Sequence, residues 1–174
     1  MIVIVLAGLP GTGKSTLARA LAEQLHLPVL DKDRVRAALF EPGFVEYSRE
    51  QDDHCCTLLY ETAAWLSVRG NVRGAALDGR TYTRTDQVAS LTSFATGRDL
   101  ELRFALCEAP EDVVRTRLES DLRAASHPAR DRTFQRYLDL RREAQPLSVP
   151  HLVVDTHALA LAEQVRRVRA WAGI

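Results

Sequence analysis

Short apolar runs alternate along the whole chain with longer stretches in which apolar residues recur at helical spacing. That alternation predicts an α/β fold with a parallel sheet. The runs at 2–7, 28–30, 74–78, 100–107 and 151–154 are the predicted strands, expected to be buried on both faces. Helices are predicted over 14–25, 33–40, 49–69, 85–95, 110–124, 133–143 and 158–172. Ser48 with Gln51 three residues on makes a capping box, and Pro110 followed by Glu111 and Asp112 suits a first helical turn. Gly70 and Gly97 read as helix stops. Residues 126–132, with Pro128 and several polar side chains, interrupt helix between two arginine-rich segments and are expected to belong to a lid at about 120–134.

Composition narrows the picture. With 174 residues, 46% hydrophobic and 26% charged, the chain fits one folded domain, 1–174, and is too short for a (β/α)₈ barrel. Its 23 basic and 23 acidic residues cancel, so no long-range field draws it to nucleic acid or to an anionic membrane, and any anion site must be local. Only Lys14 and Lys32 are lysines; the other basic residues are arginines. Cys55, Cys56 and Cys107 make neither a disulfide framework nor a metal pattern, which fits a reducing cytoplasm. The opening run 2–7 is too short to span a membrane and lacks a basic leader, so no secretion or membrane segment is expected.

Directly after the first strand, and opening the first helix, stands Gly8-Leu9-Pro10-Gly11-Thr12-Gly13-Lys14-Ser15-Thr16. This is the pattern and context of a phosphate-binding P-loop. Its glycines let backbone N–H groups turn inward toward phosphate oxygens, the helix N-terminus adds a positive field, and Lys14 reaches the β- and γ-phosphates. Ser15 is placed to hold Mg²⁺.

Two more segments end strands with carboxylates, where open α/β sheets bind ligands. In Asp31-Lys32-Asp33-Arg34-Val35-Arg36, Asp33 and Arg36 share one helical face; a carboxylate there can accept the acceptor hydroxyl's proton while an arginine orients the acceptor. Alternatively, Asp31 or Asp33 caps the helix. Gly74-Ala75-Ala76-Leu77-Asp78 ends in an acid at a Walker-B-type position, so Asp78 is a candidate Mg²⁺ ligand, and Asp31 is another. Arg80 and Arg84, in the turn that follows, are candidate acceptor or phosphate contacts.

Taken together, Gly8 to Thr16, Asp31-x-Asp33-x-x-Arg36, Asp78-Gly79-Arg80-Thr81, Arg115-x-Arg117-Leu118 and His127-Pro128-Ala129-Arg130-Asp131-Arg132 resemble the small P-loop kinases called AAA-type predicted kinases. Their relatives include polynucleotide kinase, shikimate and gluconate kinases, chloramphenicol phosphotransferase and zeta toxins. The resemblance implies a P-loop NTPase three-layer sandwich with a five-stranded parallel sheet in the order 2-3-1-4-5 and a helical lid. It further implies that Lys14 and Ser15 handle phosphate and magnesium, that Asp33 is the acceptor-side base and that Arg36 binds the acceptor. Lid arginines, in the order Arg132, Arg123 and Arg130, would stabilise the transferred phosphoryl group. The expected reaction moves the γ-phosphoryl group of ATP, with Mg²⁺, to a small-molecule hydroxyl.

Three other features read as packing. His54-Cys55-Cys56 points in different directions on a helix, Trp65 sits among Leu58, Leu59 and Leu66 as core, and Leu161, Val165, Val168 and Trp171 make one face of an amphipathic helix whose arginines are in water. Tyr47 and Tyr60 are candidates for lining the acceptor pocket or for ordinary packing. Two other functions stay open: a polynucleotide 5′-hydroxyl kinase, which a zero net charge and 6% aromatics do not favour, and a nucleotide-dependent switch. Neither ATP over GTP nor monomer over homodimer is marked.

Overall fold

The computed structural model describes residues 1–124 and 133–174. The elements run β1 (Ile2–Ala7), α1 (Lys14–Leu25), β2 (Val29–Asp31), α2 (Lys32–Leu39), α3 (Arg49–Arg69), β3 (Gly74–Asp78), α4 (Thr85–Ala95), β4 (Glu101–Glu108), α5 (Glu111–Ala124), α6 (Phe134–Glu143), β5 (His151–Asp155) and α7 (Leu161–Ala172). A 3₁₀ turn, Pro42–Phe44, precedes α3.

Alternation along β1 builds a layer on each side of the sheet. Ile4 and Leu6 point into a core with Leu17 and Leu21 of α1 and Val165 and Val168 of α7. Val3, Val5 and Ala7 point the other way, onto Leu59 and Tyr60 of α3 and Val88 and Leu91 of α4. Because both faces of β1 are covered, the strand is central; β3 and β4 pair with it in parallel, and the sheet order is β2-β3-β1-β4-β5. This is the expected sandwich and strand order.

The edge strands depart from the expectation of burial on both faces. β2 is half-buried throughout, and Val153 of β5 is exposed, because each edge is paired on one side only. Trp65 is a second correction: it is 55% exposed on the outer face of α3, with the Arg69 guanidinium over its ring, while Leu59 and Ala63 face the sheet.

Local chemistry sets the ends. Asp31 caps α2 by accepting from the amides of Asp33 and Arg34, which starts that helix at Lys32. Ser48 accepts from the Gln51 amide as expected. The Gln51 side chain completes no reciprocal box; it receives the Glu46 amide and donates to the Phe44 carbonyl, tying the 3₁₀ turn to α3. Asp155 accepts from the amides of His157 and Ala158, forming a turn that delays α7 to Leu161.

Because all five strands run the same way, the segments after β1, β2, β3 and β5 meet at one edge of the sheet. Gly8, the first residue after β1, shows how tight that edge is. Its φ is 131°, and a Cβ there would stand 2.4 Å from the Cys107 carbonyl oxygen of β4. Gly8→Ala is therefore expected to cost about 3 kcal/mol, through backbone strain and a clash that no rotamer relieves, and to lower Tm by roughly 10 °C. Thermal unfolding by circular dichroism checks this.

Candidate active site

The P-loop closes on itself before any ligand is considered. Lys14, largely buried, donates from Nζ to the carbonyls of Gly8 at 2.7 Å and Leu9 at 2.8 Å, and Thr12 Oγ1 donates to Leu9 O at 2.8 Å. Gly8 N donates to Thr81 O at 2.9 Å, which joins the P-loop to the segment after β3. On the opposite side, the Thr156 hydroxyl donates to Thr12 O at 2.8 Å. Arg117 of α5 reaches Gly11 O at 3.3 Å, Thr156 Oγ1 at 3.0 Å and Thr156 O at 3.0 Å. Leu118 and Val114 close over Gly11, where a Cβ would meet both at 2.9 Å. Three other stretches, the segment after β3, α5 and the end of β5, thus hold the phosphate loop in one shape.

Beside the P-loop, Asp31 and Asp78 are register partners on β2 and β3. Gly79 lets the two strand ends approach; a Cβ there would lie 2.9 Å from that of Lys32 and 3.1 Å from Asp31 Oδ1. Burial first, and then the neighbouring Asp78 and Asp33 carboxylates, push the Asp31 carboxyl above its ordinary value. Asp78 Oδ1 is buried with no hydrogen-bond partner. A raised carboxyl facing an orphaned carboxylate oxygen suits a hard cation, so these residues fit Mg²⁺.

The sign of the Asp31 effect is testable. Its folded-state pKa lies above the unfolded value, so the folded protein binds the extra proton, and stability falls as pH rises from the ordinary carboxylate value through the folded one. Asp31→Asn keeps a cap acceptor and removes the charge. It is expected to raise Tm of the metal-free protein at neutral pH, with the gain vanishing below pH 3.8; melts across that range check it.

Next along the cleft lies a cluster of charges. Asp33 Oδ1 accepts from Arg36 at 2.9 Å and lies 3.3 Å from the Lys32 ammonium. Lys32 also reaches Asp52 of α3 at 2.9 Å, Arg36 is paired with Asp52, and Arg80 is paired with Asp53. The Tyr47 ring stands 5.1 Å from the Arg36 guanidinium. Tyr60, by contrast, is buried against Tyr82, hydroxyl to hydroxyl at 3.3 Å, its own pushed up to about 12 by burial. Burial likewise pushes the Cys107 thiol up to about 12, and Cys55 and Cys56 upward, so all three free thiols stay protonated and read as packing.

One cleft of about 1160 Å³ gathers most of the sequence-derived candidates. Pro10, Gly11, Gly13, Lys14, Ser15 and Thr16 line it, as do Asp31, Asp33, Arg36, Asp78, Arg80 and Arg84. Gly8, Leu9 and Thr12 stand behind this lining and shape the loop. Arg84 stands at the rim with its guanidinium on Asp86. Arg123, in the last turn of α5, is exposed and does not line the cleft. Arg130 and Arg132 lie outside the described residues.

Sequence reasoning assigned no role to Lys32, Asp52, Asp53 or Thr156, and Arg117 entered only through a motif. Nothing local in the sequence showed the pairing of Asp52 with a lysine 20 positions earlier. Among the described residues there is no group of three or more His, Cys, Asp or Glu side chains placed to hold a metal, and no helix long and apolar enough to cross a membrane.

Residues 3–147 match a family profile described as an AAA domain. The chain belongs to the AAA domain family. No curated protein matches it. A candidate kinase from Chloroflexus aurantiacus is 28% identical, with a TM-score of 0.76 and 97% of each chain covered. A gluconokinase from Sinorhizobium meliloti is 21% identical, with a TM-score of 0.65 over 98% of this chain and 90% of its own. The APS kinase CysC of Mycobacterium tuberculosis, in complex with AMPPNP and APS, is 18% identical, with a TM-score of 0.71 over 99% and 97%. This AAA domain protein therefore has the fold of the small P-loop kinases, as its motifs implied.

Proposed function

We propose that this protein is an ATP-dependent phosphotransferase that moves the γ-phosphoryl group to a hydroxyl of a small molecule. One observation carries the reading: a P-loop closed around Lys14 opens into the same cleft as Asp33, a carboxylate fixed by Arg36. A site that only bound nucleotide would need no such second half. The kinase names of the structures it resembles support the same reading.

The P-loop amides and Lys14 bind the phosphates, and Lys14 stabilises negative charge on the β- and γ-phosphoryl oxygens. Ser15, Asp78 and Asp31 would hold Mg²⁺, which supplies neutralisation of phosphate charge when bound. Asp33 accepts the proton of the acceptor hydroxyl as that oxygen bonds to the γ-phosphorus and the bond to the β–γ bridging oxygen breaks, releasing ADP. Arg36 holds Asp33 in place and, with Arg80 and Arg84, borders the space for the acceptor. The segment at about 120–134 is the lid of this reading, and its Arg132 steadies the transferring group and helps exclude water; Arg123, exposed and outside the cleft lining, is the second candidate and would have to be carried in by closure.

The deciding experiment is ATP turnover with Mg²⁺ against pools of hydroxyl-bearing metabolites, antibiotics and 5′-hydroxyl oligonucleotides. A phosphorylated small molecule, absent when Lys14 is replaced, is the expected result. ATP binding without product from any pool would move the reading to a nucleotide-dependent switch.

A further inference from the structure

Three cations line the wall around Asp33, and each is already closed by a carboxylate. The Arg36 side chain is 3% exposed and is paired with Asp33 at 2.9 Å and with Asp52. Lys32, 9% exposed, reaches Asp52 at 2.9 Å and Asp33 at 3.3 Å. Arg80, 6% exposed, is paired with Asp53. The layering is one-sided: the Asp52 and Asp53 side chains are 32% and 57% exposed, so an incoming ligand meets acids with the cations beneath them.

The remaining donors do not change that surface. Arg36 Nε and Nη2 and Arg80 Nε make no well-aligned hydrogen bond, but all three atoms are sealed from solvent and out of a ligand's reach, Nη2 against the Asp52 carboxylate. The Tyr47 ring packs on the Arg36 guanidinium. At the rim, Arg84 is held by Asp86, and Arg49 also acts on Asp86. Arg19, Arg34 and Arg136 border the cleft as exposed charges that salt screens.

We infer that the acceptor presents hydroxyl or ammonium groups to this wall, and no carboxylate, sulfate or phosphate: it is a neutral or amine-bearing polyol selected by Asp52 and Asp53. This rests on the phosphotransferase reading. A carboxylate accepts a hydroxyl or ammonium proton in a charge-assisted hydrogen bond. An anion entering here must instead displace Asp52 or Asp53 from its cation or lie against the outward oxygens of two carboxylates, which is discrimination by displacement cost and local repulsion. Asp52 and Asp53 thus act as specificity residues, while Asp33 acts on the reacting hydroxyl.

The test uses the full chain loaded with Mg²⁺ and a non-hydrolysable ATP analogue, so that the P-loop is filled before the probes arrive. The probes are neutral polyols, aminosugars and aminocyclitols, each titrated beside its sugar-acid and sugar-phosphate counterpart by calorimetry. The same set is then assayed for phosphorylation with ATP. At least tenfold tighter binding of the neutral or amine-bearing members is expected, and comparing those two groups tells which of them the wall favours. Asp52→Asn and Asp53→Asn should each shrink that preference about tenfold. Asp53 is the more exposed and, among the described residues, pairs with Arg80 alone, so its variant carries the test should Asp52→Asn fail to fold. Equal or tighter binding of the anionic counterparts overturns the inference, as do a preference unchanged in the folded variants and binding of no probe. Selective binding without a phosphorylated product would sink the phosphotransferase reading and leave the selectivity standing; phosphorylation of an anionic probe would do the reverse.

Discussion

Lys14→Ala is expected to lower kcat/KM for phosphoryl transfer by at least about 10²- to 10³-fold, the usual loss when one preorganised donor to a developing charge is removed. Lys14 is largely buried, and its ammonium rests on the Gly8 and Leu9 carbonyls at 2.7 and 2.8 Å. Little reorganisation is then needed for it to meet a phosphate, so its charge acts in a site already shaped for it. Folding stability should change much less than activity. Removing the ammonium loses two hydrogen bonds but also lifts the cost of holding a charge out of water, and Arg117 with Thr156 still braces the loop. Lys14→Arg should not rescue, because a planar guanidinium cannot occupy a socket formed around a compact ammonium. Steady-state kinetics beside a thermal melt check both halves. Transfer within tenfold of the unaltered protein would remove Lys14 from the phosphates.

What the sequence made legible was local. The P-loop was readable because its chemistry lies in successive backbone amides after a strand and before a helix, and β1 was readable because five consecutive residues, Val3 to Ala7, are buried. Asp31 and Asp78 were readable because each ends a strand, and register then set them side by side. The apolar run of α7 was readable in part: Val165 and Val168 are buried, whereas Trp171 keeps an exposed edge and donates its Nε1 hydrogen to Phe104 O.

What stayed hidden was made by the fold. Asp52 and Asp53 matter because α3 runs along the cleft and sets them over Lys32, Arg36 and Arg80, which are distant in sequence. Thr156 matters because the end of β5 comes back against the P-loop, a hydrogen bond across 144 positions. Trp65 misled because a cluster of apolar residues on a helix gives no phase by itself; Leu59 and Ala63 turned to the sheet, and the indole was left outside. The same separation explains why the acceptor's charge class cannot be read from motifs. Asp33 and Arg36 suggest an arginine that binds the acceptor, and only the position of Asp52 shows that the guanidinium is already closed.

That closure shapes the second large effect expected. Asp33→Asn should lower kcat by about 10²- to 10⁴-fold, the usual contribution of a positioned general base, with nucleotide affinity unchanged and acceptor KM moved only a few-fold. The split between kcat and KM follows from the geometry. The substituted side-chain amide would keep an acceptor oxygen for Arg36, while Asp52 continues to pair with both Arg36 and Lys32, so the buried cations are not stranded and the pocket wall should hold its shape. What disappears is the capacity to take a proton from the acceptor hydroxyl. A residue that merely organised the wall would act otherwise, raising KM and lowering Tm together. Kinetics at saturating acceptor, a nucleotide titration and a thermal melt separate the two cases. A kcat within a few-fold of the unaltered protein would move the base to Asp52 or Asp53, the other carboxylates exposed on the same wall.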